Sequence, residues 1–152
     1  MNSNVTLYWS ACFTGNRAGS CGGGISVADS DVRFNGNITF TDNSANRSGG
    51  GITATNSDVR LCGSTSFSGN SVDDVGGGIS VADSNVRFRG STTFTNNSAG
   101  FGGGVGIEFG ASANVSLSGT TTLTGNSVRY GGGVFIDTVS NEGLSGKRGQ
   151  AF

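Results

Sequence analysis

Hydrophobic and polar positions alternate along this chain in short bursts that keep returning. Between residues 22 and 48 the bursts are Ile25 and Val27, then Val32 and Phe34, then Ile38 and Phe40. Apolar residues two apart predict three short strands that send those side chains to one side. Ala28-Asp29-Ser30-Asp31 and Asn35-Gly36-Asn37 separate the bursts, and such residues make tight turns. The layout repeats down the sequence. A valine, any residue, then an aromatic or leucine stands at Val5/Leu7, Val32/Phe34, Val59/Leu61, Val86/Phe88 and Val115/Leu117. Eight residues after each valine comes Phe13, Phe40, Phe67, Phe94 or Leu123, and three further on Asn16, Asn43, Asn70, Asn97 or Asn126. These asparagines lie 27, 27, 27 and 29 residues apart. Glycine triplets open at Gly22, Gly49, Gly76, Gly102 and Gly131, each followed by isoleucine or valine.

A period of this length, locked at three points, marks a solenoid. Three strands joined by tight turns cannot pair within one coil, but each pairs in parallel with its counterpart in the next coil, ~4.8 Å away. The expected fold is all-β: a right-handed parallel β-helix of about five coils of ~27 residues, three short strands per coil. The coils fall at 1–21, 22–48, 49–75, 76–101 and 102–130, with a sixth begun at 131–136. Residues 1–136 form one solenoid domain, and 137–152 read as an irregular tail. The repeat columns then have structural roles. Phe13, Phe40, Phe67, Phe94 and Leu123 stack inside, and Asn16, Asn43, Asn70, Asn97 and Asn126 form an inward amide ladder.

Composition narrows what such a solenoid does. Apolar residues make up 34% of the 152, which suits thin coils that each bury few side chains. With 29 glycines and no proline the chain is neither collagen nor proline-rich disorder. Charged residues at 12% and a net charge of −1 give no electrostatic case for nucleic acid or an anionic bilayer. No run approaches the ~18 apolar residues of a spanning helix, so no direct membrane insertion is expected. No basic-then-apolar leader follows Met1, and the chain is expected to be a fragment or mature piece of something longer. Histidine is absent and the cysteines lack metal spacing, so neither metal nor cofactor is expected. A Cys12–Cys21 disulfide would close a short loop and leave Cys62 free; other connectivities stay open.

The paired marks Gly76-Gly77-Gly78-Ile79 and Phe94-Thr95-Asn96-Asn97-Ser98-Ala99 resemble the repeats of the chlamydial polymorphic outer membrane proteins, in which GGA(I/L/V) and FxxN recur. The resemblance covers coils one to five, with glycine in place of the alanine of the triplet. It implies a surface-exposed passenger or adhesin β-helix, located outside the cell or at its surface.

Outward positions are where function has room. Thr39 and Thr41, Ser66 and Ser68, Thr93 and Thr95, and Thr122 and Thr124 flank the inward column, with Cys12 and Thr14 in coil one. Stacked, they make a two-column hydroxyl ladder of the kind with which ice-binding solenoids order water, although threonine is also simply a good strand former. A basic column of Arg33, Arg60 and Arg87 lies beside it. Asp31 and Asp58 are expected to offset the first two, and Arg87 with Arg89 gathers positive charge in coil four. Sulfated or acidic glycans fit such a column. Phe109 sits on an insertion in coil five, and loops leaving a solenoid often bind. The acids fall at turns, so a polysaccharide-cleaving β-helix is the weakest reading and no enzyme activity is expected. The sequence thus points to extracellular structural or adhesive material. Its expected partners are a host-cell or matrix protein, a glycan, or further copies stacked head to tail into filaments.

Overall fold

Each coil turns four corners. In the computed structural model, which describes residues 3–108, 112–136 and 150–151, the strands stack into four sheets with no helix among the described residues. Sheet A stacks Ser3–Leu7, Ser30–Phe34, Asp58–Leu61, Asn85–Phe88 and Asn114–Leu117. Sheet B stacks Ala11–Thr14, Ile38–Thr41, Thr65–Ser68, Thr92–Thr95 and Thr121–Thr124. Sheet D holds the strands that follow the glycine triplets: Ile25–Ala28, Ile52–Thr55, Ile79–Ala82, Val105–Ile107 and Val134–Ile136. These three sheets are the ones that alternation predicts.

Sheet C adds a fourth strand to the three expected. It begins just after each ladder asparagine, as Arg17–Ala18, Ser44–Ala45, Ser71–Val72, Ser98–Phe101 and Ser127–Tyr130. In coils one to three it holds two residues, too few for alternation to show. Its inward alanines and valines, Ala45, Val72 and Ala99, form a small apolar cluster of their own, with Ala18 and Val128 against it.

Pairing between coils is parallel and keeps the sequence period. Val5, Val32, Val59, Val86 and Val115 lie in one register column of sheet A. Phe13, Phe40, Phe67, Phe94 and Leu123 lie in one column of sheet B. A single slip would turn every inward side chain outward, so the hydrophobic pattern enforces the register. One departure from parallel order closes the described chain: Gln150–Ala151, in the stretch read as an irregular tail, pairs antiparallel with Val134–Ile136.

The core lies between sheets A, B and D. Phe34, Leu61 and Phe88 from sheet A meet Ile38, Phe40, Phe67 and Phe94 from sheet B and Ile52, Ile79 and Val81 from sheet D, all fully buried. The sheet B rings stack face to face, with centroids 5.0, 4.9 and 4.8 Å apart from Phe13 to Phe94. Phe88 packs edge-on against Phe67 and Phe94 at 6.2 and 6.1 Å. Burying one such ring contributes roughly 1.5–3 kcal/mol before cavity effects.

The glycine triplets carry the chain past this stack. In coil three, Gly49 has φ 61°. A β-carbon on Gly50 would press into the backbone of Gly77 and Ser71, and one on Gly51 would stand 2.8 Å from the Phe67 ring. Any larger residue there would push the sheet apart, which explains three glycines in a row. A second backbone column immediately precedes the ladder asparagines. Gly15, Asp42, Gly69, Asn96 and Gly125 all have left-handed φ, between 53° and 66°. Side chain and no side chain alternate down this column, and a β-carbon on Gly69 would run into the Asp42 carboxylate.

Candidate functional site

The inward columns are spent on packing. Asn43 shows how completely. Its side-chain N–H groups donate to Asn70 Oδ1 (3.0 Å) and to the Phe13 carbonyl (2.8 Å). Its Oδ1 accepts from the backbone and side chain of Asn16 at 3.0 and 2.9 Å. Asn70 and Asn97 repeat the arrangement one coil on, ending at Asn126. An amide with two donors and two acceptor sites filled has nothing left for a ligand.

Sheet B presents the hydroxyl columns in register: Cys12, Thr39, Ser66, Thr93 and Thr122 in one, Thr14, Thr41, Ser68, Thr95 and Thr124 in the other. The residues of coils two to four are half-buried by their neighbours, and Thr93 is within 3.1 Å of the Ser66 hydroxyl. Coil one interrupts the array with Cys12, and coil three with two serines.

Sheet A presents the charges, and their pairing follows the expected one at Asp58 and Arg60 but departs from it at Asp31 and Arg33. Asp58 meets Arg60 at 2.6 Å and Arg87 at 3.7 Å, so one carboxylate serves two coils. Arg33 donates to Asn35 Oδ1 (2.8 Å) instead of pairing with Asp31, whose Oδ1 accepts the Asp58 backbone N–H at 3.1 Å. The reason is local: Asp31 is committed to the next strand, and Asn35 stands on the same outer side as Arg33, two residues on. Asn85 donates to the other Asp58 oxygen at 2.9 Å. Arg89 is exposed at the corner between sheets A and B. Surface pairs such as Asp58–Arg60 add about 0–1 kcal/mol to stability.

Sequence reasoning missed one feature of this side. Tyr8 and Trp9, in the corner of coil one, are 71% and 84% exposed. The signal was available, since the other coils place Gly36, Gly63, Gly90 and Gly119 where coil one has the chain's one tryptophan.

The cysteines are all free thiols, so the Cys12–Cys21 bridge is not formed. Cys12 points outward from sheet B, whereas Cys21 stands in another column, bridged to Ser48 between sheets C and D. Phe109 lies outside the described residues. Beside it, Glu108 accepts from the Ser80 hydroxyl at 2.8 Å. Among the described residues no cluster of histidine, cysteine, aspartate or glutamate is arranged to hold a metal ion. Asp29 and Asp83 occupy left-handed turn positions, and Asp83 accepts the Ser112 backbone N–H at 2.9 Å.

The Chlamydia polymorphic membrane protein repeat matches this chain three times, at residues 10–28, 37–55 and 64–82. Each match runs from the corner before a sheet B strand, through the ladder asparagine and the glycine triplet, to the end of a sheet D strand. The chain is thus similar to that repeat family over the segments that build its phenylalanine, asparagine and glycine columns. No curated protein and no solved structure matches the chain.

Proposed function

We propose that this chain is a surface-displayed β-helical repeat module whose outer faces adhere to a host-cell or matrix component. The observation that carries this reading is the threefold repeat match to a membrane-protein family, lying over columns that the coil interior fully uses. What varies from coil to coil is the outside, where sheet A offers Arg33, Arg60, Arg87 and Arg89 against Asp31 and Asp58. In this reading the acids are structural: Asp29, Asp31, Asp58 and Asp83 are engaged in turns, backbone bonds and an ion pair. The test is binding of the purified chain to cultured cells and to a glycan array. Replacing Arg87 and Arg89 with serine should weaken binding severalfold without lowering the melting temperature. Retained binding would sink the sheet A assignment.

The in-register hydroxyl columns of sheet B favour a second reading, in which the flat face orders water into ice. That reading expects thermal hysteresis that Thr93→Lys abolishes. No hysteresis at millimolar protein ends it.

A further inference from the structure

We propose that the corner between sheets A and B in coil one, together with the arginine face beside it, binds an acidic polysaccharide. The proposal deepens the adhesive reading above and rests on it for its biological setting. Its physical case begins with Trp9. In the next four coils the corner reads Asn35-Gly36-Asn37, Cys62-Gly63-Ser64, Arg89-Gly90-Ser91 and Ser118-Gly119-Thr120, whereas coil one has Tyr8-Trp9-Ser10. A β-carbon on Gly63, Gly90 or Gly119 would stand 2.6 Å from the carbonyl carbon of the glycine one coil earlier. The β-carbon of Trp9 therefore fills the space that a preceding corner of the same shape needs. A corner of that shape does not stack on Trp9, whose indole is 84% exposed. A large apolar ring held in water on a tight corner contributes nothing to the core, but it suits a partner with a flat apolar face.

The surroundings define that partner. Tyr8 follows its strand on the side of Thr6, and Thr6 lies in register with Arg33. Arg33 leans toward this corner through its bond to Asn35, whose backbone N–H donates to the Leu7 carbonyl beside Tyr8. Among the described residues Arg33 has no carboxylate partner. Arg60 and Arg87 share the single Asp58 carboxylate, and Arg89 lies further along the same corner column. Stacked arginines repel one another at strand spacing, so an added anion relieves the column as well as pairing with it. Sugar rings offer an apolar C–H face for the indole, and their carboxylates or sulfates offer paired oxygens that a guanidinium group grips. From Trp9 the glycine corners leave a low path along the axis, with arginines on one side at ~4.8 Å steps. A linear acidic glycan laid on that path meets ring stacking at one end and charge along its length.

The sole tryptophan is the reporter. Titrating the intact chain with heparin should shift Trp9 emission to saturation, and uncharged dextran should not. Raising salt from about 0.05 M to about 0.5 M should weaken heparin binding about tenfold or more. By calorimetry, Trp9→Ala and Arg33→Ser should each lower affinity about tenfold. Arg17→Ser, on sheet C, should not, and the melting temperatures of all three should stay at the parent value. No emission change with heparin, equal binding of dextran, or full affinity in Trp9→Ala overturns the proposal. If the chain adheres to cells but ignores heparin, the adhesive reading stands and the glycan site falls. If it binds heparin through Trp9 but not cells, the site stands and the adhesive reading falls.

Discussion

Side chains in neighbouring columns differ sharply in what they do, and single substitutions read the difference. Phe67 is fully buried between the Phe40 and Phe94 rings. Truncating it opens a cavity that three coils share, so Phe67→Ala should destabilise by ~3–5 kcal/mol in urea melts. Thr95 is one residue beyond Phe94 on the outer side, and Thr95→Ala should cost under ~0.5 kcal/mol. Equal losses would reverse the inward and outward assignment. Thr65 shares a column with Ala11, Ile38, Thr92 and Thr121 and is 3% exposed, yet its hydroxyl has no hydrogen-bond partner among the described residues. An unpaired buried hydroxyl carries its desolvation cost uncompensated. Thr65→Val should therefore raise stability by about 1 kcal/mol, and a lower urea midpoint would show that the hydroxyl is in fact bonded.

At the scale of strands and turns, how much the sequence discloses depends on segment length and on residue identity. Sheets A, B and D announce themselves because strands of three to five residues hold two inward positions, both apolar in Val32 and Phe34 or Ile38 and Phe40. Sheet C is silent, since Ser44–Ala45 has one inward residue and no alternation. The phenylalanine and asparagine columns are visible because the same residue returns. The left-handed column is not, because glycine, aspartate, glycine, asparagine and glycine look unrelated until their shared φ is known. Residue type was the available clue: those three residues adopt that conformation most readily. The arginine column is legible in the sequence period, but spacing along the strand does not disclose that Asp31 bonds across to the Asp58 backbone. The left-handed column also yields a measurable coupling. Gly69→Ala adds a β-carbon at φ 66° against the Asp42 carboxylate. It should cost more in the parent than in an Asp42→Gly background, with a coupling of about 1 kcal/mol in a double-mutant cycle. A coupling near zero would mean that the carboxylate simply swings away.

Taken as a whole, the molecule is close to one-dimensional: apart from the antiparallel Gln150–Ala151 strand, each described strand pairs only with the strands one coil before and one coil after. Stability then accumulates through nearest-neighbour interfaces, and coils can be gained or lost without redesigning the rest. The left-handed column restricts that freedom. Coils with a bare glycine and coils with a protruding aspartate or asparagine take turns in this column, and a β-carbon on Gly69 would meet the Asp42 carboxylate. If that contact carries energy, this column has a parity of two coils. Duplicating residues 42–95 preserves the alternation and should give a longer chain that melts no lower than the parent. Duplicating 42–68 sets one Asp42 side chain directly before another, joining a steric collision to a repulsion between like charges. That shorter extension should melt below the parent despite its extra interface. If both lengthened chains melt alike, the parity has no energetic weight. If they differ as expected, lineages of this solenoid should lengthen and shorten by even numbers of coils.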